Sequence, residues 1–325
     1  MLRLFGPSCS PAPIDPAAKD PIPDSAVWID LLNPSSEEEK LAEGLIGQNI
    51  PTRTEMLEIE PSSRLYERDD ATVMTMSVLY NTDSNTPAVD PVSFILTDRH
   101  LVTLRYVDPA PFIGFADHAY GDPDKVKTPL VALIGLMDAV IDRLADRLEE
   151  VAEELDHISQ QIFRHDARES RRSPEVRYEA LMLRLGAAQR ILAKTREASV
   201  SATRLLGYLS STDRVEANSA DARHFKSLAG DAKAINDHSS FVGDNLTFLL
   251  DASLGMIGLQ QNLVMKIFSV VAVVLMPPTL IAGVYGMNFD HMPELRSVYG
   301  YPIALAAMLV SAVVPYWLAR RKGWL

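Results

Sequence analysis

Leu263-Val264-Met265-Lys266-Ile267-Phe268-Ser269-Val270-Val271-Ala272-Val273-Val274-Leu275-Met276-Pro277-Pro278-Thr279-Leu280-Ile281-Ala282-Gly283-Val284-Tyr285 is a run of 23 residues whose one charge, Lys266, lies near its start. Wound as a helix it is about 35 Å long, enough to cross a hydrocarbon core of about 30 Å. A second, uncharged run of 18 residues extends from Pro302 to Ala319, roughly 27 Å by the same rise. Gly286 to Gly300 forms a short polar connection. So little else stands beside these runs to bury them that they read as a transmembrane hairpin rather than as two core helices.

The charges agree with that division. The chain of 325 residues carries 31 basic and 43 acidic side chains, a net −12, yet from Ile257 onward there are two acids and five bases. The tail is therefore +3 and the preceding 256 residues −15. An acidic balance of this size argues against a nucleic-acid partner, which needs a basic footprint. The apolar share of 47% excludes a disordered chain. A single cysteine, Cys9, excludes an internal disulfide and a cysteine zinc cluster. Arg320, Arg321 and Lys322 directly follow the second run, whereas the connection offers only Arg296. The excess of bases on the cytoplasmic side puts the C-terminus there, and two spans return the N-terminus to the same side. The opening MLRLFGPSCSPAPIDP has no apolar signal-peptide core. The expected location is a bacterial-type inner membrane, with both termini cytoplasmic and the lipid bilayer as a partner.

The acidic part divides again. Residues 1–24, rich in proline and small residues, read as loosely ordered. Ala26–Leu32, Arg64–Glu67, Ala71–Tyr80, Val92–Leu96 and His100–Tyr106 read as strands. A capping-box pattern at Ser36–Glu39 opens a helix to about Ile46, and Phe112–His118 is a short helix. This is an α+β domain over 1–127 with several antiparallel pairings. Asp98, Arg99 and His100 are the only hint of a hydrolase, and their place between two strands favours a turn. From Thr128 the apolar spacing becomes helical, through Leu144, Leu148, Val151, Leu155 and Ile158. Breaks at Ser173-Pro174 and Ser210–Asp213 give long acidic antiparallel helices over 128–213. A stalk helix over 214–285 then continues into the first span, at about 263–285. The connection 286–300 and the second span with its basic tail, 301–325, complete the chain.

Asp146, Glu149, Glu150, Glu153, Glu154 and Asp156 crowd one helix, either as a solvated face or as a trap for cations. Asp237, Asp244 and Asp251 lie seven apart on the stalk, hence on one face. In an oligomer such a row repels its copies unless cations intervene. Within the first span, alternating steps of three and four collect Asn262, Met265, Ser269, Ala272, Met276, Thr279 and Gly283. That is the 3.5-residue period of a helix facing a common axis. Small and polar residues in a membrane belong at helix contacts or cavities, so the seam serves either ordinary packing or a pore. A pore needs an oligomer, because two spans cannot enclose one. The seam carries no charge, which suits an ion that keeps much of its water, as Mg²⁺ does.

The connection reads Tyr285-Gly286-Met287-Asn288-Phe289-Asp290-His291-Met292-Pro293-Glu294-Leu295. With MPPTLIAG before it, MPEL within it and a basic cluster followed by Trp324-Leu325 after it, the chain resembles the CorA family of magnesium transporters. The layout of acidic domain, long stalk and terminal hairpin extends the resemblance over the whole length. It implies a homopentameric, funnel-shaped channel that passes Mg²⁺, with Co²⁺ and Ni²⁺ as poorer substrates. It also implies regulation by cytoplasmic Mg²⁺ bound between subunits. Gly286, Met287 and Asn288 match the family's selectivity loop, flanked by Tyr285, Phe289, Met292, Pro293, Glu294 and Leu295. Asn262, Met265, Met276 and Thr279 match pore positions, and Phe268 a bulky apolar gate. Asp251 matches a regulatory stalk acid, whose companion 24 positions upstream falls on Ser227 here, a departure from the pattern. No ATP-binding Gly-rich Lys motif occurs, and neither an enzyme activity nor an organic cofactor is expected. Two alternatives stand beside this reading: a zinc-transporting branch of the same superfamily, which His291 invites, and a membrane-anchored sensor that conducts nothing.

Overall fold

The computed structural model describes residues 1–7, 9, 14, 23, 25–82, 86–163, 174–215, 220–287, 292 and 297–323. The chain divides into two units, Met1–Leu250 and Asp251–Leu325. In the first, six strands are ordered β1-β2-β6-β5-β4-β3. They are β1 Leu2–Phe5, β2 Trp28–Leu32, β3 Leu65–Arg68, β4 Ala71–Tyr80, β5 Ala88–Leu96 and β6 Leu101–Arg105. All neighbours are antiparallel except β2 and β6, which run parallel, Trp28 opposite Leu101.

Helices cover both faces of this sheet, which explains why β4 and β6 are buried almost end to end. On one face α1 (Ser36–Ile46) and α2 (Arg53–Met56) bring Ala42 and Met56 against Ile29, Val73, Ile95 and Val102. The other face packs Trp28, Met74, Met76 and Phe94 against α4 (Ala110–Gly121), α5 (Pro129–Phe163), α6 (Pro174–Leu209) and the start of α7 (Ala220–Tyr285). Trp28 stacks on Phe5 with ring centres 4.0 Å apart.

A buried charge cluster sets the register of the central strands. Asp30 on β2 lies opposite Arg3 of β1 and Thr103 of β6. Its Oδ1 accepts from Thr103 Oγ1 at 2.8 Å and Arg105 Nε at 2.9 Å, and its Oδ2 from Arg105 Nη2 at 2.9 Å and Arg3 Nη2 at 2.7 Å. Arg105 also donates to Val107 O and to Asp108, and its guanidinium lies over the Phe112 ring of α4. Burial alone would raise the Asp30 carboxyl. The bonds and charge of Arg105, helped by Arg3, outweigh it and hold the group below the ordinary carboxylate range.

Three local readings change. Residues 2–5, expected to be loose, form edge strand β1, because Leu2 and Leu4 alternate into the core while Arg3 reaches Asp30. The cap of α1 is Ser35 with Glu38, one residue earlier than the Ser36–Glu39 pattern, and the N-terminal amine also pairs with Glu38 at 2.8 Å. β5 begins at Ala88 and runs through Pro91, four residues before the strand Val92–Leu96 read from the sequence. Pro91 is tolerated because its partner Ser77 donates its backbone N–H away from β5, to Ser201 Oγ at 2.9 Å. Residue 91 thus sits in a non-hydrogen-bonded pair, and its missing donor points beyond Arg105, where β6 ends. Two four-residue helices, α2 and α3 (Pro61–Arg64), were not anticipated.

In the second unit, the last part of α7 and α8 (Gly300–Arg321) are both long and apolar enough to cross a membrane. Only 6% and 11% of their most apolar stretches are buried within the chain, so the chain alone does not cover them.

Candidate functional site: the seam of the first span

α7 and α8 each have one covered stripe. On α7 the less exposed positions are Val270, Val274, Pro277, Pro278, Ile281 and Tyr285; on α8 they are Ala304, Met308, Ser311, Ala312, Pro315 and Ala319. Both sets step by three and four, the spacing of one helix face, and small residues dominate the α8 stripe. Val270, Ala304 and Ala319 are the most buried, at 6%, 7% and 8% exposure.

The seam lies elsewhere on α7. Asn262, Met265, Ser269, Ala272, Met276, Thr279 and Gly283 are all exposed. At about 100° per residue their mean direction is roughly opposite the covered stripe. Phe268, also exposed, stands beside the seam. The two hydroxyls are internally satisfied: Ser269 Oγ donates to Met265 O and Thr279 Oγ1 to Met276 O, both at 2.8 Å. Such back-bonding lets a hydroxyl sit in a low-dielectric setting while its lone pairs still face outward. The surface is therefore mildly polar, uncharged and lined by two flexible thioethers. It can offer oxygen lone pairs to a hydrated cation without holding it by charge.

α7 persists through Pro277 and Pro278 to Tyr285, and the next backbone amide, of Gly286, still donates to Ala282 O at 2.9 Å. A Cβ on Gly286 would lie 3.0 Å from that same oxygen, so a side chain there crowds the turn out of the helix. Met287 is 50% exposed and Met292 half-buried. Asn288, Phe289, Pro293, Glu294 and Leu295 lie outside the described residues, as do Asp290, His291, Trp324 and Leu325. At the far end of α8, Arg320, Arg321 and Lys322 are exposed, with Arg321 over the Trp317 ring at 5.0 Å.

Asp237, Asp244 and Asp251 are all exposed on α7. Among the described residues no group of three or more acidic, His or Cys side chains could hold a metal ion within one chain. On α5 the Asp142 carboxyl is pushed up by desolvation and by its neighbours Asp138, Asp146 and Asp231, a repulsion that a cation or a proton would relieve. Two members of the acidic crowd are engaged: Glu150 pairs with Arg147 and Glu154 with Arg184 of α6, each at 2.6 Å. His100 spends its ring Nδ1 on Ala26 O at 2.8 Å, and Asp98 pairs with Arg214. Those residues tie a turn together.

Comparison with known proteins agrees over nearly the full length. The family model described as CorA-like Mg2+ transporter protein matches residues 23–321. The magnesium transport protein CorA of Pasteurella multocida is 32% identical over 302 residues, 93% of each chain. That of Escherichia coli K12 is 31% identical over 301 residues, 93% of this chain and 92% of its own. Among solved structures, the complete CorA magnesium transporter of Methanocaldococcus jannaschii superposes with a TM-score of 0.79 at 18% identity, covering 100% of this chain and 98% of that one. This chain is a member of the CorA-like Mg²⁺ transporter family.

Proposed function

We propose that the chain transports Mg²⁺ passively across a membrane, driven by the membrane potential, along an axis lined by α7 in a homo-oligomer. The observation that carries the reading is the uncovered seam: the face of α7 opposite its covered stripe is uncharged, mildly polar and periodic over Asn262 to Gly283. Relatives of about 30% identity named magnesium transport proteins support the choice of ion and of transport over catalysis. Five copies would enclose the path, with the first span innermost. Gly286, Met287 and Asn288 form the outer filter, where neutral amide and backbone oxygens replace outer-shell water without binding the ion too tightly to release it. Met276 and Met265 make apolar constrictions, and Phe268 a gate. Co²⁺ and Ni²⁺ pass less well. An inward potential of 100 mV supplies about 4.6 kcal/mol to a divalent ion, which makes ATP unnecessary.

The N-terminal domain, the acidic helices and both termini face the cytoplasm of a bacterial-type inner membrane. Cytoplasmic Mg²⁺ neutralises the acids of α7 between subunits and holds the path shut. Asp251 leads this set, with Asp244 and Asp237. Asp251→Ala then weakens inhibition by internal Mg²⁺, and unchanged inhibition would remove that assignment.

Cysteine accessibility tests the path itself. In a Cys9→Ser background, a cysteine at Met276 or Thr279 reacts with a small water-soluble thiol reagent, and Mg²⁺ slows it. A cysteine at Val274 or Ile281 does not react. The reverse pattern would place water on the wrong face of α7 and end the proposal.

A further inference from the structure

The N-terminal unit holds a second chemical feature, outside the apolar spans. A cavity of about 820 Å³ opens between α6, α7 and the end of α3. In a chain of net charge −12 it is lined by three guanidiniums, those of Arg64, Arg196 and Arg204. Arg196, Val200 and Arg204 follow one another at four-residue steps on one face of α6, so the two arginines stand about 12 Å apart along the axis. Arg64, half-buried, faces them from the end of α3. It is anchored through Nε to Glu58 O and reaches Ser77 Oγ with Nη1 at 3.5 Å. Arg196 and Arg204 hold no hydrogen bond or ion pair among the described residues.

Two acids border the same space, and neither cancels it. Glu197 is paired with Lys194 at 2.9 Å, and Asp244 enters from α7. Burial lowers the Arg64 guanidinium; Glu197 counters this and Arg204 adds repulsion. Three cations are thus brought together with one unengaged carboxylate. Ser201 accepts the Ser77 backbone N–H and lines the cavity, and its hydroxyl can also donate. Planar guanidiniums lining one cavity with a hydroxyl match the oxygens of a phosphate chain, which accept two parallel bonds from each fork. The volume lies within the usual range for small-molecule sites.

We propose that this cavity binds a condensed phosphate, a di- or triphosphate anion, either inorganic or as the phosphate end of a nucleotide. The cavity shares only Asp244 with the transport reading, and its arginines stand if that reading fails.

The test is calorimetry on the full chain in detergent, in Mg²⁺-free buffer with chelator, titrating sodium triphosphate and, separately, ATP. Triphosphate saturates the protein with a dissociation constant at or below about 1 mM. Arg196→Gln with Arg204→Gln weakens it by at least about tenfold, while Arg190→Gln, on α6 outside the cavity, changes it by less than about twofold. All three positions are exposed, and an unchanged unfolding midpoint shows that the variants fold. Equal affinity for triphosphate and ATP assigns recognition to the phosphates; tighter ATP adds a contact from the nucleoside. Three results would overturn the inference: no saturation by triphosphate, binding of ATP without triphosphate, or equal weakening by Arg190→Gln.

Discussion

Asp30→Asn is the change the N-terminal unit should tolerate least. Asp30 accepts five hydrogen bonds, from Arg3, Thr103 and Arg105, and its side chain and that of Arg105 are wholly buried. The amide keeps the shape but removes the negative charge, leaving Arg105 buried with only Asp108 at its edge. Breaking a buried pair in this way costs about 3–5 kcal/mol. That is two to four powers of ten in the ratio of folded to unfolded molecules. At a urea slope of about 3 kcal/mol per M, the midpoint of the unit falls by about 1–1.7 M, read by near-UV circular dichroism. Asp30→Leu with Arg105→Met restores most of the loss, because a well-packed apolar pair replaces the ionic one, and Arg3, whose side chain is 16% exposed, can turn to water. Acid gives an independent sign. The Asp30 carboxyl is lowered on folding, so its contribution is fully present above its unfolded value of about 3.9 and is lost as pH falls below that. Asp30→Asn flattens this acid slope. A loss under about 1 kcal/mol, or an acid slope equal to that of the wild type, would refute the assignment of this cluster as the determinant of strand register.

Other consequences are simpler to state. Asp142→Asn removes the desolvation of this carboxylate and its repulsion by Asp138, Asp146 and Asp231, so it raises the unfolding midpoint at pH 7 slightly, by no more than about 0.5 kcal/mol after solvent screening. The gain vanishes at acid pH, where Asp142, raised on folding, is already protonated. Ala304→Leu overfills the contact between α7 and α8 and destabilises the hairpin by about 1–3 kcal/mol, seen as a lower thermal midpoint in detergent. Gly286→Ala presses a methyl group against Ala282 O and lowers Mg²⁺ flux with little change in that midpoint.

Periodicity made the long elements readable. Leu144 through Ile158 step at helical spacing and are buried in α5, and the two apolar runs became the exposed parts of α7 and α8. The seam was legible for the same reason, since a 3.5-residue repeat on a helix is a face whatever its partner. Which face of each span would be covered was not legible: the burial of Val270, Ala304 and Ala319 depends on neighbours distant in sequence, with no local signal. β1 was hidden because four residues beside a proline-rich stretch carry too little pattern, and Arg3 acquires meaning only opposite Asp30. Pro91 misled for a related reason, as its acceptability rests on Ser201 of α6 taking the N–H of Ser77. Arg64 lies more than 130 residues before Arg196 and Arg204, so no motif announces their cavity.

Liposomes holding a Mg²⁺-sensitive dye test transport itself, with wild type compared against Asn288→Ala under an inward potential and low internal Mg²⁺. Voltage-driven uptake is expected in the wild type, abolished or reduced by more than about tenfold in the variant, because the neutral oxygen that replaces outer-shell water is gone. Wild-type protein that takes up no Mg²⁺ would contradict that expectation, leaving a zinc carrier or a non-conducting sensor, which Zn²⁺ with a matching dye would separate.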